Sequence, residues 1–293
     1  MSWPGGQAIN RFDAAPHAPT PCVFDNKLFL FWRANDPSNR IFYSASPDGA
    51  AWPDGQVISS GDTTSDAPAV CVFKRRLYLF WKSSISNRIF FTASANGSAW
   101  TEHRLINTAD STAKALTPCV FKDRLYLFWK SASNQILFSA SSSGKSWPAG
   151  QPINSTDSTS DAPAACVFKN QLYLFWKANA SNQISLSASP TGRAWPAGRV
   201  INGTDLTSQV PAACAFDNRL VVFWVANDPP NSICFSASNC GDAPPFEDCW
   251  PAGRAINGVD SSAAPVSAIV FSNKLFVFWK ANNPRNAILF SAA

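Results

Sequence analysis

Residues 77–107 read LYLFWKSSISNRIFFTASANGSAWTEHRLIN, and the rest of the chain is built from copies of this stretch. Its Phe-Trp pair recurs, placing tryptophans at Trp32, Trp81, Trp129, Trp176, Trp224 and Trp279. Its second tryptophan recurs at Trp3, Trp52, Trp100, Trp147, Trp195 and Trp250. The two columns use all 12 tryptophans of the 293-residue chain, and successive members of either column lie 49, 48, 47, 48 and 55 residues apart. A period of roughly 40–50 residues holding several short strands is the sequence mark of a β-propeller. One copy cannot bury both of its faces alone, so the copies are expected to stack into a single domain spanning residues 1–293.

Each copy divides into four expected strands, A to D. In the second copy these are APAVCVF (67–73), LYLFW (77–81), IFFTAS (89–94) and AWTEHRLI (99–106). The continuous apolarity of LYLFW predicts a strand covered on both faces, whereas the weaker pattern of the fourth suits an outer strand with one side wet. Tight hairpin turns rich in Asn, Asp and Lys, such as Asp25-Asn26-Lys27 and Lys74-Arg75-Arg76, join the first two. Length varies only between B and C and at an insertion, 239–249, in the fifth C–D turn. The chain ends within a copy at Ser291-Ala292-Ala293 and begins with Ser2-Trp3-Pro4, the missing fourth strand. The expected fold is therefore all-β: a six-bladed propeller of four-stranded antiparallel blades, its ring closed by the N-terminal strand completing the last blade.

Net charge is +5, from 24 basic and 19 acidic residues, and the only tight basic cluster is Lys74-Arg75-Arg76. A nucleic-acid partner, which a basic stripe would announce, is not expected. No apolar stretch follows Met1 and no run of about 18 apolar residues occurs, so neither a leader nor membrane insertion is expected. A cytoplasmic protein, or one released without a signal peptide, fits. Cys22, Cys71, Cys119, Cys166 and Cys214 share one column with Ile269, which reads as a buried small apolar site occupied by free thiols. Cys240 and Cys249, flanking the insertion, form the one sensible disulfide pair.

The segments SASPDGAAW (44–52), TASANGSAW (92–100), SASSSGKSW (139–147) and SASPTGRAW (187–195) resemble the Asp-box of sialidases and related propellers. There a Ser-x-Asp-x-Gly-x-x-Trp turn joins the third and fourth strands of a blade. The resemblance implies a folding device rather than an activity.

Three polar columns also repeat. A cation follows Phe-Trp at Arg33, Lys82, Lys130, Lys177 and Lys280, replaced only by Val225. An Asn closes each B–C loop: Asn39, Asn87, Asn134, Asn182, Asn231 and Asn286. An Asp stands 11 residues before each strand-A Phe: Asp13, Asp62, Asp110, Asp157, Asp205 and Asp260. Propeller topology puts these loops on one face. With the Phe-Trp rings they form a kit for a sugar, hydroxyls pairing with donors and acceptors and a C–H face stacking on an indole. Each column also has a structural reading. Asp and Asn fix loop backbones, and the tryptophan packs between blades.

Catalytic machinery is hard to find by repetition. All four tyrosines sit in columns shared with Phe or Val, Glu102 and Glu247 are far apart in the copies, and His17 and His103 fall in different copies. No metal-ligand spacing or phosphate loop occurs, so no cofactor is expected. A catalytic centre needs unlike residues in unlike roles, whereas every strong feature here repeats six times. The whole chain resembles six-bladed propeller lectins, the group that includes the fungal fucose-specific lectins, in its six Trp-containing copies and its ring closure. That resemblance implies sugar sites between adjacent blades. The expected function is a non-enzymatic, multivalent glycan-binding protein. A protein-binding scaffold and a sialidase-like hydrolase stand as alternatives, and an asymmetric carboxylate cluster in the central channel would favour the hydrolase.

Overall fold

The computed structural model describes residues 1–293 except Asp228 and 241–248. Among the described residues the chain forms 24 strands in six four-stranded antiparallel sheets, with no α-helix. Blade 1 is β2 (Thr20–Phe24), β3 (Lys27–Arg33), β4 (Ile41–Ser46) and β5 (Gln56–Val57). Blade 2 is β6 (Ala69–Phe73), β7 (Arg76–Lys82), β8 (Ile89–Ser94) and β9 (Arg104–Leu105). Blade 3 is β10 (Thr117–Phe121), β11 (Arg124–Lys130), β12 (Ile136–Ser141) and β13 (Gln151–Pro152). Blade 4 is β14 (Ala164–Phe168), β15 (Gln171–Lys177), β16 (Ile184–Ser189) and β17 (Arg199–Val200). Blade 5 is β18 (Ala212–Phe216), β19 (Arg219–Val225), β20 (Ile233–Ala237) and β21 (Arg254–Ala255). Blade 6 is β22 (Ser267–Phe271), β23 (Lys274–Lys280) and β24 (Ile288–Ala292), completed by β1 (Gln7–Ala8).

The closure has the expected register, Gln7 opposite Phe290 and Ala8 opposite Leu289. Innermost strands of neighbouring blades lie side by side around the whole ring, β22 against β2 included. Hydroxyls of Thr20, Thr117 and Ser267 donate to the carbonyls of Pro68, Pro163 and Pro19 on the neighbouring blade, at 2.6, 2.5 and 2.5 Å.

Alternation along the second strand decides the packing. In each blade the Phe of Phe-Trp meets the C–D-turn Trp of the next blade edge-on, as in Phe80–Trp147 at 5.5 Å and Phe128–Trp195 at 5.8 Å. The adjacent Trp faces the preceding blade, so Trp129 packs in the cluster holding Phe80 and Phe91. Both faces of the strand are thus covered by unlike aromatic partners, and edge-to-face contact is the geometry aromatic quadrupoles prefer.

The turns follow their chemistry. A–B hairpins carry paired left-handed residues, φ 47° and 60° at Lys74 and Arg75, as two-residue type I′ turns require. In the Asp-box turns Gly49, Gly97, Gly144 and Gly192 hold φ between 73° and 81°. Asp48, Asn96, Ser143 and Thr191 each accept the backbone N–H groups two and three residues on, so a carboxylate, an amide or a hydroxyl performs the same task.

One expectation needs correction. The outer strand is two residues long in every blade rather than the eight of 99–106. A hydroxyl on the third strand takes the carbonyl one residue after the turn Trp, as in Ser44 to Pro53 and Thr92 to Thr101, both at 2.6 Å. That side-chain bond replaces the ladder there, and proline in five of the six copies has no N–H to continue it. Cys240 and Cys249 are bridged, while the remaining insertion, 241–248, lies outside the described residues.

Candidate functional site

All six Phe-Trp tryptophans are at most 2% exposed, so none offers a ring face to a ligand. Their six-membered rings lie beneath the backbone of the outer segment, where a Cβ on Gly150 would fall 2.3 Å from Trp129 Cζ2. The Asp column is a latch. Asp260, Asp13, Asp110, Asp157 and Asp205 accept the backbone N–H of Gly6, Gly55, Gly150, Gly198 and Gly253 at 2.8–2.9 Å. Each also takes a 2.7 Å bond from the Asn three residues earlier. In blade 2 the Gly position is His103, whose Nδ1 meets Asp62 at 2.7 Å. Burial raises the Asp13 carboxyl pKa, opposed by the bonds from Asn10 and Gly55.

The Asn column carries φ of 53–66° at Asn39, Asn87, Asn134, Asn182, Asn231 and Asn286. The carbonyls of these residues receive a backbone N–H from the D–A loop of the neighbouring blade, as in Thr112 to Asn87 and Thr159 to Asn134. Asn is the non-glycine residue best suited to that left-handed position. The Trp rings and Asp carboxylates are thus engaged in holding blade to blade, and in the Asn column the backbone carbonyls are.

The cations fare differently. Lys130, Lys177 and Lys280 are half-buried, and Val225 is fully buried. Arg33 gives one N–H to the Ser65 carbonyl at 3.3 Å and leaves its buried Nε without a partner among the described residues. Lys82 is only 7% exposed and reaches Asn87 at 3.3 Å. Burial lowers its pKa, while Asp66 pulls it back up. These two cations border a cluster that repetition did not reveal.

That cluster occupies the position seven residues before the strand-A Phe. It reads His17, Asp66, Lys114, Asp161, Gln209 and Ala264 from blade 1 to blade 6. A buried Thr or Ser two residues earlier builds the position in five blades. Its hydroxyl accepts the N–H of the variable residue, as for Asp66 on Thr64, Lys114 on Thr112 and Asp161 on Thr159 at 3.2–3.3 Å. The same hydroxyl donates to that residue's carbonyl, closing a local turn whose backbone does not depend on the side chain it presents. The first five of the six positions line a cavity of about 320 Å³ at the channel mouth, to which all six blades contribute.

One ion pair and one imidazole–carboxylate contact sit there. Lys114 Nζ lies 3.2 Å from Asp161 Oδ2, and His17 Nδ1 lies 3.9 Å from Asp66 Oδ1. Each carboxylate also accepts the N–H of the following residue through Oδ1, at 2.8 and 2.9 Å. Burial lowers the His17 pKa. Asp66 and Asp161 oppose that shift, whereas Arg33 and Lys114 add to it. His17 is thus neutral at neutral pH and able to accept a proton. Among the described residues no three His, Cys, Asp or Glu side chains converge to hold a metal. The signal for this site was present in the sequence as a fixed repeat position holding a base, two acids, a cation, an amide and a methyl group.

No protein-family model matches this chain, and no curated protein is significantly similar to it in sequence. Solved structures share the fold. A protein of unknown function from Dyadobacter fermentans superposes with TM-score 0.75 at 14% identity, covering 99% of both chains. An alpha-L-arabinanase from Penicillium chrysogenum, complexed with arabinobiose, gives 0.75 at 13% identity, covering 100% of this chain and 98% of that one. A sialidase from Streptococcus pneumoniae gives 0.72 at 12% identity, covering 98% and 70%. The expectation of a non-enzymatic lectin is corrected here. Of these neighbours, the two with a named activity are an arabinanase and a sialidase, and most of the polar columns that were to form repeated sugar sites hold the scaffold together.

Proposed function

We propose that this propeller hydrolyses glycosidic bonds at the channel mouth. A single observation carries the reading: the one repeat position at the channel mouth whose six residues are nearly all unlike places two carboxylates, a neutral imidazole and an ammonium around one cavity. Hydrolysis of a glycoside uses a pair of carboxyl groups flanking the bond, one handling the proton of the leaving oxygen and one the attacking water or the anomeric carbon. Asp66 on blade 2 and Asp161 on blade 4 are that pair. One carboxyl of the pair gives its proton to the departing oxygen while His17, beside Asp66, takes the matching proton from the attacking water, and the Lys114 ammonium stabilises charge developing on the departing oxygen. The sialidase and arabinanase neighbours support a glycan as the substrate class through shared architecture.

The test is release of reducing sugar from a broad panel of polysaccharides and oligosaccharides by the wild type, Asp66→Asn and Asp161→Asn. Each variant is expected to lose about 10²–10⁴-fold in kcat, with circular dichroism and melting temperature retained. A wild type inactive on the whole panel, or activity surviving both substitutions, overturns the proposal.

A further inference from the structure

The cavity is chemically two-sided. Every ionisable side chain lining it comes from blades 1–4: His17, Asp66, Lys114 and Asp161. Blades 5 and 6 contribute Val210, Pro211, Pro265 and Val266 with alanines, and only two polar side chains, Gln209 and Ser267. Ser267 has its one donor engaged and Gln209 one of its two. Gln209 Nε2 reaches the Ala263 carbonyl at 3.3 Å, and Ser267 Oγ reaches the Pro19 carbonyl at 2.5 Å. In blade 5 the cation after Phe-Trp is also missing, its place taken by buried Val225, whereas blade 6 keeps Lys280.

A sugar ring laid against this half would exchange water for side chains with few free hydrogen-bonding groups, an unfavourable trade for hydroxyls and a favourable one for hydrocarbon. The charged half suits the sugar and its scissile bond. We infer that the substrate is a glycoside with an apolar aglycone, its sugar held by blades 1–4 and its hydrocarbon arm against Val210, Pro211, Pro265 and Val266. The inference rests on the glycoside reading and specifies what lies on the far side of the bond.

The probes are n-alkyl glycosides from methyl to hexyl, as β-D-glucosides, β-D-galactosides and α-L-arabinosides. The leaving group's intrinsic reactivity barely changes along such a series. Binding is measured by isothermal titration calorimetry and turnover by sugar release, with wild type, Val210→Ser and Val210→Asp. In at least one series, affinity is expected to rise two- to fourfold per methylene until the wall is covered, about fourfold being the full transfer of a methylene from water. Saturation-transfer NMR should mark the alkyl protons, and both Val210 variants should flatten the dependence while still binding the methyl member. Val210 is only partly buried, so the milder Ser variant guards against misfolding. A chain-length dependence without turnover supports this inference and overturns the hydrolase reading. Turnover with no chain-length dependence overturns this inference and leaves the hydrolase. A dependence that survives both Val210 variants, or no binding in any series, also overturns it.

Discussion

Replacing Gly150 with alanine tests whether the Asp–Gly–Trp latch holds the propeller together. The added Cβ would lie 2.3 Å from Trp129 Cζ2, 2.7 Å from its Cη2 and 3.0 Å from Asp110 Oδ1. Carbon atoms in ordinary contact stand about 3.5–4.0 Å apart, so something must move by more than an ångström. Trp129 is fully buried between blades 2 and 3 and has nowhere to go. The outer segment must lift instead, parting the Gly150 N–H from Asp110 Oδ2, now 2.8 Å away. Overpacking costs about 1–3 kcal/mol, and loss of a hydrogen bond to a charged acceptor about 1.5–3 kcal/mol more. The sum is about 2.5–6 kcal/mol, a fall in melting temperature of roughly 4–10 °C for a chain of this size. Gly203→Ala is the matched control. No atom lies within 4 Å of its Cβ position, so its effect should stay within about 0.5 kcal/mol. Thermal melts followed by circular dichroism compare the two. Equal melting temperatures would refute the latch as a structural element.

Two further outcomes follow from the titratable groups. Burial pushes the thiols of Cys22, Cys119 and Cys214 up to about 12, and those of Cys71 and Cys166 well above the ordinary value. A shift of about three units leaves roughly a thousandth of the usual thiolate, so these five should resist Ellman's reagent at pH 8 until guanidinium unfolds the chain. Rapid labelling of all five in the folded protein would contradict the packing. His17 has a folded pKa below its unfolded value of about 6.5, so between the two the unfolded chain binds a proton that the folded chain does not. The His17 contribution to stability therefore falls as pH drops through that window. His17→Asn should lose less of its urea midpoint between pH 7.5 and 5 than the wild type. Equal losses would show that the imidazole titrates freely.

The fold was legible because its signals are local and repeat. The tryptophan period, the type I′ turns, the Gly-containing C–D turns and the split last copy each report backbone geometry that a residue type enforces. The direction of a side chain was less legible. Five consecutive apolar residues in LYLFW already implied cover on both faces, and that implication, followed through, buries the Phe-Trp tryptophan rather than offering it to a sugar. The partner of the Asp column was also written in the sequence, as a glycine three residues after the turn Trp in five copies, but pairing the two needs the loop to cross from one blade to the next. The channel column escaped for the opposite reason. Comparing copies rewards positions that agree, and these six residues differ almost throughout.

Their difference is what the scaffold permits. The Thr or Ser hydroxyl two residues upstream binds the N–H and carbonyl of the variable residue and ignores its side chain, so aspartate, lysine and glutamine share one backbone without strain. The latch shows the limit of that freedom. At His103 the repeat exchanges glycine for an imidazole, and the exchange succeeds because the ring brings a nitrogen to Asp62 and stands edge-on to Trp81 and Phe90 at 6.2 and 5.3 Å. Positions that close the ring accept a substitute only if it reproduces a bond, whereas the channel position accepts any residue that leaves the turn intact. Chemistry specific to this protein can therefore accumulate in one column while the six blades stay nearly equivalent. The charge asymmetry of the mouth, ionisable on blades 1–4 and apolar on blades 5 and 6, is the visible result.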